Sequence, residues 1–139
     1  MRSDRGLSLY ELLLIIIATG LVAVAASSKF YQMIEFSRSN EAIAAINKIH
    51  FLYQQCLGTF GGHIETCYDS NDPFKYLQID FLPPEKARFR YYFVVNGDSY
   101  VITAERTYID NGKEGDMIKM TYDGKGAKFS GTGAFAKVE

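Results

Sequence analysis

The side chains able to do chemistry in this sequence fall into three small groups. Glu11 is a lone acid inside an apolar run from Leu7 to Ala26. His50, Cys56, His63 and Cys67 form a second group, and Asp110, Glu114 and Asp116 share a glycine-containing loop. A carboxylate near the centre of a helix in lipid costs on the order of 2.5 to 3.5 kcal/mol, less towards the end where Glu11 lies, so Glu11 requires a partner. For two cysteines outside the cytoplasm a disulfide is the simplest reading, and closing so short a loop stabilises a fold by roughly 2 to 3 kcal/mol. The rival is a metal site that adds His50 and His63, but the spacing matches no standard zinc pattern. Asp110, Glu114 and Asp116 are oxygen ligands of the kind calcium takes, in a loop without EF-hand spacing. Solvated turn residues are the plain reading there, with calcium a minor alternative.

Catalysis is not expected. The sequence has no Gly-x-Ser-x-Gly elbow, phosphate loop, dinucleotide fingerprint or His-Glu-x-x-His, and its two histidines have no acid beside them that would orient them. No cofactor is expected either. A net charge of -1, with Lys and Arg scattered along the chain, gives no basic stripe for a phosphate backbone, so direct nucleic-acid binding is not predicted.

The elements that must position these residues are legible from patterning. The 139 residues, 47% hydrophobic and 22% charged, suit one small globular core. The 20 apolar residues from Leu7 to Ala26 cover roughly 30 Å as a helix, enough to span a bilayer. Arg2 and Arg5 precede this run, and the positive-inside rule keeps that end cytoplasmic and exports everything after Ala26. Helical patterning then continues: Ala42, Ile46, Ile49, Tyr53 and Cys56 recur at alternating spacings of four and three, with Glu35, Arg38, Glu41 and Lys48 read as lying off that stripe. One helix is expected from about Ser8 to Leu57, ended by Gly58 and Gly61-Gly62. Phe30, Tyr31, Met33, Ile34 and Phe36 form an apolar ring expected to meet other subunits.

From Lys75 onward the pattern is that of strands. Tyr76 to Leu82 is a short apolar run stopped by Pro83-Pro84, Arg88 to Val95 is aromatic and β-branched, and Asn96-Gly97-Asp98 signals a hairpin into Tyr100 to Glu105. Met117 to Tyr122 and Ala127 to Ser130 follow as strands, and the tail from Gly131 to Glu139 is expected to be loose. The predicted fold class is α+β: a long N-terminal helix, membrane-spanning in its first half, packs by its second half on an antiparallel sheet of three to four strands.

Three readings compete for the apolar segment. A secretory signal peptide has the Ala23-Val24-Ala25 pattern in its favour, but the run is too long, it carries an acid, and helical patterning continues through the proposed cut. A plain membrane anchor explains the length and leaves Glu11 unexplained. In the third reading, Gly6 followed by Leu7-Ser8-Leu9-Tyr10-Glu11 and an unbroken apolar helix resembles the processing site of type IV prepilins and type II secretion pseudopilins. The resemblance covers about the first twenty residues. It implies a cut between Gly6 and Leu7 by a prepilin peptidase, N-methylation of Leu7, and an assembly role for Glu11 in the family's fifth position. Leu7 and Ser8 stand where many members have phenylalanine and threonine, and Ser28 stands where many have a kinking proline. Gly20 matches a glycine common in that helix.

The physics of the motif is independent of the family. Cutting before Leu7 creates an amine with an ordinary pKa of about 7.7 to 8.0, and a carboxylate in an apolar setting stabilises its cation. Pairing Glu11 of one subunit with the Leu7 amine of a neighbour neutralises two costly charges and sets an axial stagger.

The expected organisation is a leader over residues 1–6, a membrane and filament-core half-helix over 7–28, an amphipathic half-helix over 29–58, and loop and sheet over 59–139, with 29–139 one globular unit. The function this implies is a structural subunit of a type IV pilus or pilus-like filament, homo- or hetero-polymeric. Its partners would be the prepilin peptidase, the membrane assembly machinery and the membrane itself. Before assembly it would be a single-pass protein of the inner (cytoplasmic) membrane with its C-terminal domain outside the cytoplasm, and afterwards part of an extracellular or periplasmic filament. The alternative is a membrane-anchored or secreted exported binding domain that does not polymerise.

Overall fold

The structure, a computed structural model, describes residues 7–138. The leader and Gly6, one side of the expected cut, lie outside the described residues. The chain divides into two units, Met1–Ile34 and Glu35–Glu139, and one helix, α1 (Leu9–Thr59), contributes to both. Its first part is apolar all round, and no residue of its most apolar 18-residue stretch is buried. Hydroxyls there are satisfied on their own helix: Thr19 Oγ1 donates to the Ile15 carbonyl at 2.8 Å and Ser27 Oγ to the Ala23 carbonyl at 2.7 Å. Such back-bonding satisfies each hydroxyl within the helix itself. No helix break accompanies the Gly20 and Ser27-Ser28 positions.

In the second unit α1 turns amphipathic. Ser39, Ala42, Ile46, Ile49 and Tyr53 are buried, one face at helical spacing. The helix passes through Gly58 and ends at Thr59. Gly61 and Gly62 there adopt the positive φ that glycine tolerates, and the Gly62 N–H donates to the Leu57 carbonyl at 2.7 Å.

The buried face packs on a four-stranded antiparallel sheet in the order β1 (Phe89–Asn96), β2 (Ser99–Arg106), β3 (Met117–Tyr122), β4 (Ala127–Gly131). The α+β arrangement is thus present. Asn96 pairs with Ser99 across the Gly97-Asp98 turn, and this register puts Tyr100, Ile102 and Ala104 of β2 inward. The Tyr53 ring meets Phe93 and Tyr100 edge-on, each at 5.0 Å between centroids.

Three expectations are corrected. Tyr76 to Leu82 is not a strand but a run of turns, with Gln78 at positive φ. Leu77 is buried all the same, and Phe81 stacks on Tyr91 of β1, so apolar packing is achieved without a ladder. The tail after Gly131 is not loose: Phe135 and Val138 are buried, and the Asp116 carboxylate accepts the Ala134 N–H at 3.0 Å. Glu35 does not lie off the buried stripe. It precedes Ser39 by one turn, in phase with it, and bonds to a buried arginine of β2.

Candidate functional site

At the start of α1, Ser8 and Glu11 form a reciprocal cap. The Glu11 carboxylate accepts the Ser8 N–H at 2.8 Å, and the Ser8 hydroxyl accepts the Glu11 N–H at 3.2 Å. This is the Ser-x-x-Glu capping box, which satisfies two donors that a helix start otherwise leaves open. Leu7 and Tyr10 beside it are exposed. Glu11 therefore has a local partner within its own chain, and its second carboxylate oxygen accepts no hydrogen bond among the described residues.

A second polar cluster was not legible in advance. Arg106, the last residue of β2, is fully buried and grips Glu35 of α1 with two hydrogen bonds, Nε to Oε2 at 2.9 Å and Nη2 to Oε1 at 3.2 Å. Its Nη1 donates to the carbonyls of Arg88 and Thr107, each at 3.0 Å, and the guanidinium lies 5.6 Å from the Phe89 ring centroid. Arg38 also pairs with Glu35, while Arg88 pairs with Glu41 and Asp110. Burial pushes the Glu35 carboxyl up, but the hydrogen bonds and charge of Arg106, joined by Arg38, outweigh it and hold the group below its ordinary 4.5. A usable signal existed: Arg106 continues the inward phase of β2 after Tyr100, Ile102 and Ala104. A charge on the buried phase needs a buried partner.

A third cluster runs along the other flank of α1. Gln54 Nε2 donates to Tyr100 Oη at 2.8 Å, and His50 Nδ1 lies 2.5 Å from the same oxygen. Burial pulls the His50 pKa below 6.5 and pushes the Tyr100 phenol up to about 12. Tyr122 stacks on Tyr100 at 4.9 Å and completes the group.

The other sequence candidates are separated. Cys56 and Cys67 form a disulfide with Cα atoms 5.9 Å apart, which closes the loop after α1 and leaves no thiolate as a ligand. His63 is exposed and His50 is held by Tyr100. Asp110 pairs with Arg88, Asp116 holds the tail, and Glu114 joins neither. Among the described residues no three His, Cys, Asp or Glu side chains are placed to share a metal ion. Comparison with family models, curated proteins and solved structures finds no match to this chain.

Proposed function

We propose that this chain is the structural subunit of a type IV pilus-like filament, cut between Gly6 and Leu7 by a prepilin-type peptidase, methylated on Leu7, and assembled through its N-terminal helix. The observation that carries the reading is an apolar half-helix with no buried residue in its most apolar stretch, continuous with a half whose opposite character packs on a small sheet. A helix apolar on every side is stable only among lipids or other helices. Lipids serve before assembly and copies of the same helix after it. Exposed Phe30, Tyr31 and Met33 extend the apolar surface past the span, where bundled helices would cover it. The work is mechanical, and the covalent chemistry belongs to the peptidase. The resemblance of Gly6 to Glu11 to prepilin processing sites supplies the specific cut.

The Ser8–Glu11 cap favours a second reading, a membrane-anchored exported binding domain that never polymerises. A capping glutamate gives a plain anchor a reason to keep Glu11. Intact mass and N-terminal sequencing of the chain from its native membrane or sheared surface fraction separates the two. A chain starting at N-methylated Leu7 upholds the filament subunit. An intact Met1 makes it a plain anchor, and a start near Ala26 makes it a secreted domain.

A further inference from the structure

Charge in the second unit is sorted to opposite edges of the sheet. The segment joining α1 to β1, residues 60–88, carries five acids against three bases, whereas residues 117–138, which hold β3, β4 and the tail, carry four bases against one acid. The acidic segment packs on β1: Tyr68 meets Phe93 edge-on, and Phe81 stacks on Tyr91. In the order β1-β2-β3-β4 the two outer strands are β1 and β4, and Lys125 and Lys128 belong to the β4 side. The five ion pairs of the described residues include none of Glu65, Asp72, Asp80 or Glu85, and none of Lys119, Lys125, Lys128 or Lys137. All eight are exposed.

We infer that the basic β4 edge of one copy docks on the acidic loop edge of the next copy. The two charge signs sit on opposite edges of one unit, so a sideways translation brings them together and no second protein is needed. Such a contact is heterologous: it uses two different patches, and it propagates into an open helical polymer rather than closing as a two-fold dimer. The acidic edge also offers an apolar seat. Beside Asp80, a groove of about 210 Å³ is lined by Ile79, Phe81, Leu82 and Phe89, with Glu41, Lys48 and Arg88 also on its walls. Arg88 there is already paired with Glu41 and Asp110, and the apolar walls suit the aliphatic stem of a lysine whose ammonium reaches Asp80. β4 is short and carries Lys128, with Lys125 just before it, which disfavours strand addition at its free edge, so side chains make the contact. The inference rests on the filament reading and names the surface through which the exported units of that filament touch.

Charge reversal in the full chain tests it. Lys125→Glu with Lys128→Glu, and separately Asp72→Lys with Asp80→Lys, should each lower sheared-filament yield about tenfold, and the chain with all four changes should recover most of it. Yields unchanged by either pair overturn the contact while leaving the filament reading intact. So does failure of the fourfold chain to recover when its Cys56–Cys67 disulfide and protease resistance match the wild type. Zero-length carbodiimide coupling of the wild-type chain in its membrane is independent of variant folding and of filament formation. A link between copies joining the Lys125–Lys128 region to the Asp72–Asp80 region upholds the contact, and its absence overturns it. If the chain keeps Met1 and forms no filament, the filament reading fails by itself, and the coupling still decides the contact.

Discussion

The guanidinium of Arg106, wholly buried at the end of β2, holds both carboxylate oxygens of Glu35, a residue 71 positions earlier on α1. The pair fixes which turn of the helix faces which end of the sheet. A buried ion pair contributes little net energy over a well-packed apolar pair, yet removing one partner strands the other. Arg106→Met should therefore cost about 2 to 4 kcal/mol, and Arg106→Met with Glu35→Leu should restore most of it. Urea denaturation of the detergent-solubilised chain, followed by circular dichroism, measures both. A double variant as unstable as the single one would mean the charges themselves are needed.

Glu11 has two candidate duties, and Ser8 separates them. If the carboxylate serves only as a helix cap, Ser8→Ala and Glu11→Ala should damage filament yield alike, since the cap is reciprocal. On the assembly reading, Glu11→Ala abolishes filaments while Ser8→Ala leaves them near wild type. Sheared-fraction yield, with peptidase cleavage checked by mass, reads the difference.

Stability should fall in two stages as pH drops. His50 in the fold has its pKa below 6.5, so the unfolded chain takes up a proton first, and stability present above about 6.5 is lost as pH falls from there toward the folded value. The second stage lies below 4.5. Arg88 holds the Asp110 carboxyl below its ordinary 3.8, and Arg106 with Arg38 holds Glu35 below 4.5, so both contributions vanish as pH falls through those lowered values. His50→Asn should flatten the fall in thermal midpoint between pH 7.5 and 5.5 and leave the acid stage in place. A wild-type midpoint constant across that interval would discard the His50 part.

The tail is held at one tight point. Gly133 has positive φ, and an added Cβ would run into the Asp116 carboxylate that receives the Ala134 N–H. Gly133→Ala should destabilise the fold by about 1 to 2 kcal/mol and speed proteolysis after Gly131. A nearby control, Gly126→Ala, meets no atom within 4 Å and should change little.

Removing the disulfide by Cys56→Ser with Cys67→Ser should cost roughly 2 to 3 kcal/mol, because the open loop regains entropy when unfolded. Hydrogen exchange should rise first in the segment around Ile64–Thr66. A stability equal to wild type would mean that packing of Tyr68 on Phe93 already holds the loop.

What this sequence determines by itself is whatever depends on neighbours along the chain. The long apolar half-helix follows from a run of apolar residues, the amphipathic stripe from its period of 3.6, and β1 to β4 from alternation punctuated by Gly97 and Gly124. The resemblance at Gly6 to Glu11 is likewise local. Tertiary structure decided the rest. The apolar run Tyr76 to Leu82 buries Leu77 and stacks Phe81 on Tyr91, so its packing is met without a ladder. The tail is pinned because Phe135 joins the core beside Phe89, a neighbour that no property of the tail itself reveals. Glu35 reads as lying off the buried stripe until Arg106, far along the chain, gives it a partner. Burial of a polar group depends on what faces it, and residues far apart in sequence face each other only after the chain has folded.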